Sequence, residues 1–114
     1  MGVPAIMELV TPTAMSNTLT TNILNPNANT YAIVRQIHIV NKTGGAVTFS
    51  LWIGLTGANT AGTEFFNAQS IGAQSVYDWY GALKLTASQF LVGGASAATS
   101  LTITVMGELY AVLS

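Results

Sequence analysis

The segment AVTFSLWIGL, residues 46–55, alternates along its length. Val47, Phe49, Leu51, Ile53 and Leu55 fall on one face, and Ala46, Thr48, Ser50, Trp52 and Gly54 on the other. That is the pattern of a half-buried strand. The closing segment repeats it, with Leu101, Ile103, Val105, Leu109 and Leu113 opposing Thr102, Thr104, Met106, Glu108 and Tyr110. YAIVRQIHIVN, residues 31–41, is apolar on both faces: Ile33, Ile37 and Ile39 oppose Val34, His38 and Val40. Such a strand is central in its sheet or covered by a neighbour. Shorter strands are expected at 16–24, 64–71, 74–80, 83–86 and 88–92, about eight in all. Between them NPNANT (25–30) and NKTGG (41–45) read as turns, the latter as a hairpin connection. TGANTAG (56–62) and VGGASAATS (92–100) read as loops. No segment sustains a helical period, and the threonine-rich, β-branched content suits a pleated surface. The expectation is an all-β chain, an antiparallel β-sandwich of jelly-roll type. It forms one domain over 16–114, preceded by an extended N-terminal arm, residues 1–15, with Pro4 and Pro12.

Charge changes the picture. Of 114 residues only 6% are charged, against roughly 25% in an ordinary soluble domain, while the hydrophobic share is a usual 50%. Thr, Ser, Asn, Gly and Ala fill the positions that charges would occupy, and the net charge is −1. A surface so poor in charge favours association, so it is expected to sit against other protein. Arg35, Lys42 and Lys84 are too few to neutralise a run of phosphates, which argues against nucleic acid as a partner. The opening MGVPAIMELVTP has no basic n-region and carries Glu8, so it does not read as a secretory leader; nor does any apolar run reach the ~18 residues of a membrane-spanning helix.

The reactive inventory is small. Cysteine is absent, and the carboxylates Glu8, Glu64, Asp78 and Glu108 are scattered. His38, the single histidine, has no His or Cys partner for a metal, and is expected to be a packed, hydrogen-bonded residue. No G-x-S-x-G is present, and the glycine pairs carry no phosphate-binding pattern. No catalytic residue, metal ligand or cofactor is therefore expected, and the chain reads as non-enzymatic. Arg35 is expected to reach a carboxylate, with Asp78 and Glu108 the candidates. The aromatic residues Trp52, Tyr77, Trp79, Tyr80 and Tyr110 fall on polar strand faces or in the cluster VYDWYG, residues 76–81. They are the candidate interface residues; the same rings would also suit a sugar-stacking platform, or cap the ends of the sandwich.

ANTYAIVRQIHIVNKTGGAVTFSLWIG, followed by SIGAQSVYDWYGALKLTASQFLVGGASAATSLTITVMGELY, resembles a group of small virion proteins of tailed bacteriophages. The resemblance covers roughly residues 28 to 112. It implies a β-sandwich structural component repeated many times on the particle, with capsid decoration (cement) on the head favoured over a place on the tail. The partners so implied are the major capsid protein or other virion proteins and further copies of the chain, a trimer being favoured. The competing expectations are a tail, fibre or baseplate module that binds host-surface glycan through the same aromatics, and a secreted lectin. The four scattered acids make a poor oxygen cage for a lectin's calcium.

Overall fold

The computed structural model describes residues 6–57, 59 and 62–112. Within them the chain forms eight strands and no helix: β1 (Met7–Ala14), β2 (Asn22–Leu24), β3 (Thr30–Asn41), β4 (Val47–Gly54), β5 (Glu64–Ile71), β6 (Val76–Thr86), β7 (Phe90–Ala95) and β8 (Leu101–Ala111). One sheet has the order β1-β8-β3-β6 and the other β2-β7-β4-β5, every pair antiparallel. First strand pairs with last, second with seventh, third with sixth and fourth with fifth, so the chain is one long antiparallel ribbon rolled on itself. That is the winding of a jelly roll, as expected. The interior holds Val34, Ile37, Ile39, Phe49, Leu51, Leu85, Leu91, Leu101, Ile103 and Val105, each at most 1% exposed.

Several elements differ from the sequence reading, each for a physical reason. Residues 7–14, expected within an extended arm outside the sandwich, form the edge strand β1 against β8, and Met15 is buried in the core. Pro12, two register shifts and a mostly exposed burial pattern disguise the strand. Residues 1–5 of that arm, part of the 56–62 loop and Leu113 lie outside the described residues. The strand expected over 16–24 is confined to β2, and the two expected at 74–80 and 83–86 are one, β6. NKTGG is no hairpin within a sheet; it carries the chain from β3 in one sheet to β4 in the other. Leu55, expected to face inward, is 69% exposed because β4 ends at Gly54.

Gly93 and Gly94 belong to β7 and not to a loop. A Cβ on Gly93 would strike the Ser50 carbonyl oxygen, and one on Gly94 would lie 2.6 Å from the Ser16 carbonyl oxygen. Glycine is there for close backbone approach rather than for a turn.

The phase of β3 also differs. Against β8, Val34 pairs with Gly107 and Gln36 with Met106, so Arg35 is an extra residue, a bulge. It turns Val34 inward with Ile37 and Ile39, and leaves Ile33 on the outer face with Gln36, His38 and Val40. Uninterrupted alternation had put Ile33 with Ile37. The bulge lets one strand present apolar side chains to the core and a polar set to the outside.

Candidate functional site

The outer face of the β1-β8-β3-β6 sheet collects the chemistry of the chain. Of eight Asp, Glu, Lys, Arg and His side chains, six stand on it: Glu8, Arg35, His38, Asp78, Lys84 and Glu108. Lys42, in the β3–β4 connection, and Glu64, at the start of β5, are the other two. The register brings the six together. His38 lies opposite Asp78 on β6, Gln36 opposite Tyr80, and Ile33 between Lys84 and Glu108.

At the centre His38 Nδ1–H donates to Asp78 Oδ1 at 2.6 Å, and Gln36 Nε2 donates to the same oxygen at 3.0 Å. Gln36 also reaches the Tyr80 hydroxyl at 3.3 Å. The hydrogen bond from His38 holds the Asp78 carboxyl below its ordinary 3.8; Gln36 and the charge of the imidazole add to this, and partial burial opposes it. One turn of the ladder away, Arg35 Nε and one terminal guanidinium nitrogen both lie 3.0 Å from Glu108 Oε1. Of the two acids expected as partners for Arg35, the bulge aims it at Glu108. Asp78 goes to His38, which is the hydrogen-bonded role expected of that histidine.

Toward the far end of the sheet Tyr31 and Tyr110 stack with centroids 5.1 Å apart and planes 12° from parallel, and the Lys84 ammonium sits 4.8 Å above the Tyr31 ring. Burial against its neighbours and the Glu108 carboxylate push the Tyr110 hydroxyl above its ordinary value. A shallow depression lined by Asn29, Thr30, Tyr31, Lys84, Thr86 and Ser88 opens beside this stack. Neither Tyr31 nor Asn29 stood out in the sequence; Tyr31 becomes notable only through the register that sets it opposite Tyr110.

The five candidate interface aromatics are dispersed, and only Tyr80 is freely exposed, at 69%. Trp52 is 7% exposed, on the outer face of the second sheet, in a concavity it shares with Leu19 of the β1–β2 connection. Tyr77 and Trp79 are half-buried and turn inward. Tyr77 meets Phe49 and Phe66 edge-on at 5.6 and 5.5 Å, and Trp79 meets Phe65 at 5.0 Å. These rings close the open side of the sandwich between β5 and β6, rather than capping its ends. Trp79 also lies over Gly81, where a Cβ would come within 2.7 Å of the indole. Among the described residues no group of three His, Cys, Asp or Glu side chains is placed to hold a metal ion. No protein-family model, curated protein or solved structure matches the chain.

Proposed function

We propose that this protein is a non-enzymatic structural subunit of a tailed-bacteriophage particle, a decoration protein that binds the head lattice and stabilises it by protein–protein contact. The observation that carries the contact role is the distribution of apolar surface. Ile6, Met7, Val76, Tyr80 and Val112 are each 48–69% exposed and lie on, or directly beside, the strands of one sheet. They do so in a chain with only three basic and four acidic residues. Apolar side chains at the margins of a sheet, in a chain so poor in charge, favour docking onto another protein. The assignment to a virion rests on the sequence resemblance. Gold-labelled antibody raised against the protein, viewed on particles by negative stain, tests it: dense label over the head is expected, and unlabelled particles would overturn the reading.

A second reading is supported by the Tyr31–Tyr110 stack beside a depression lined by Asn29, Thr30, Thr86 and Ser88. Rings flanked by amide and hydroxyl groups suit a sugar, which would make the protein a tail module that binds host-surface glycan. Calorimetric titration with host polysaccharide separates the two. Saturable heat that disappears in Tyr110→Ala supports the glycan reading; absence of heat leaves the decoration reading alone.

A further inference from the structure

The sandwich has four edge strands, and three of them are blunted against further pairing. β1 carries Pro12 and two register shifts, and β2 has only 3 residues. β5 has two register shifts and a left-handed residue, Ala68 with φ 50°, whose N–H is taken by the Ser50 hydroxyl. Prolines, bulges and short length are the usual protection of a sheet edge. β6 lacks it. It runs for 11 residues without proline and pairs with β3 alone among the described residues. Its side chains alternate throughout, with Val76, Asp78, Tyr80, Ala82, Lys84 and Thr86 outward and Tyr77, Trp79, Leu83 and Leu85 inward.

We propose that the β6 edge pairs antiparallel with the β6 edge of a second copy of this chain, about a two-fold axis through Gly81. The charges argue for that partner and that register. Asp78 and Lys84 lie three residues to either side of Gly81 and on the same outer face. A two-fold axis at Gly81 therefore places Asp78 of each copy opposite Lys84 of the other, giving two ion pairs from one acid and one base. Both groups have capacity to spare. The His38 and Gln36 hydrogen bonds fall on Asp78 Oδ1, which leaves Oδ2 without a partner among the described residues. Lys84 meets the Tyr31 ring and no carboxylate among those residues.

The same register sets exposed Tyr80 against small Ala82 and exposed Val76 against Thr86, so rings and aliphatic groups gain cover without collision. Where the two strands come closest, Gly81 meets Gly81, with each copy's Trp79 already folded over that position. The result is one continuous eight-stranded sheet across the pair, an isologous contact of the kind that closed dimers use. A two-fold pair takes the place of the trimer favoured by the resemblance. The proposal stands apart from the virion reading, because self-pairing needs no particle.

The test is charge exchange, read by native mass spectrometry and sedimentation at micromolar concentration. The wild type should be dimeric, with a Kd that rises as salt is added. Lys84→Glu sets acid against acid twice, and Asp78→Lys sets base against base twice; each alone should raise Kd by at least about tenfold. Mixing the two variants restores both attractive pairs, so a mixed dimer should form at near wild-type affinity. Circular dichroism of each variant keeps loss of pairing distinct from loss of fold. A wild type that is monomeric or trimeric would overturn the proposal, as would a dimer indifferent to Lys84→Glu or variants that fail to recover on mixing. A monomeric wild type whose tryptophan emission changes on adding particles would give the edge to a foreign strand and overturn self-pairing while sparing the virion reading.

Discussion

Asn41 is fully buried and uses both ends of its side chain. Nδ2 donates to the carbonyl oxygens of Gly45, Ile71 and Gly72 at 2.9–3.1 Å, while Oδ1 accepts from the backbone N–H and the hydroxyl of Thr43. It thereby ties the β3–β4 crossover to the β5–β6 crossover at the same end of the sandwich. Asn41→Ala should cost about 3 kcal/mol in urea unfolding, because it removes every hydrogen bond of a fully buried side chain and leaves the buried Ile71 carbonyl without that donor. Asn41→Asp should cost at least as much despite its matching shape, since a carboxylate cannot donate to these carbonyls. The sequence marks this residue only as the point where a strand meets a turn; its long-range partners come from crossovers that local pattern does not encode. Asp78 carries a second prediction. Its folded pKa lies below the ordinary 3.8, so its ionised form favours the folded state. That contribution is complete above about pH 4 and is lost as pH falls through the folded value. Asp78→Asn should therefore be less stable than wild type at pH 6, with the gap between their melting curves narrowing on acidification below about pH 4. A gap that stayed constant down to pH 2 would mean that the His38–Asp78 contact does not favour the folded state.

Elements were legible in proportion to how regular they are. β4 shows its inner face through Val47, Phe49 and Leu51, and β5 begins and ends where the turn residues place it. Alternation alone gives β3 the wrong phase before Arg35, because a bulge adds one residue without a composition signal. Glycine misled in β7 for the opposite reason: the same residue serves turns and close strand approach, and only packing tells them apart. Substitution at three positions separates those uses. A Cβ at Gly93 would strike the Ser50 carbonyl oxygen and one at Gly107 the Ile33 carbonyl oxygen, both backbone atoms of a paired strand. Gly93→Ala and Gly107→Ala should each cost more than about 3 kcal/mol or prevent folding, because the strands must part to admit the methyl group. A Cβ at Gly44 meets nothing within 4 Å, and Gly44 needs no left-handed backbone. Gly44→Ala should therefore leave stability unchanged or raised by a few tenths of a kcal/mol, through loss of freedom in the unfolded chain. Thermal melts of the three variants side by side check this, and a strongly destabilised Gly44→Ala would show that Gly44 is there for a conformation other residues resist.

Across the whole molecule the two outer faces differ. Five of the seven charged side chains and the single histidine share one sheet, where they are largely paired with one another, while the other outer face carries Thr48, Ser50, Trp52 and Gly94 with Glu64 at its margin. That segregation was invisible in the sequence, where the charged residues look scattered, because it arises from register between strands distant along the chain. It also divides the aromatics into those that hold the sandwich and those available to something outside it. Trp79 belongs to the first kind, with its edge-on contact to Phe65 and its cover over Gly81. Trp79→Ala should lower stability by about 2 kcal/mol, so weakened assembly in that variant would not separate contact from fold. Tyr80 belongs to the second kind. At 69% exposure, with one long hydrogen bond to Gln36, Tyr80→Ala should change stability by less than about 0.5 kcal/mol. If assembly depends on the outer margin of β6, this variant should melt like the wild type yet associate more weakly in sedimentation. Unchanged association would take Tyr80 out of the contact and move the search to the uncharged face around Trp52 and Leu19, where the next substitution would be Leu19→Ser.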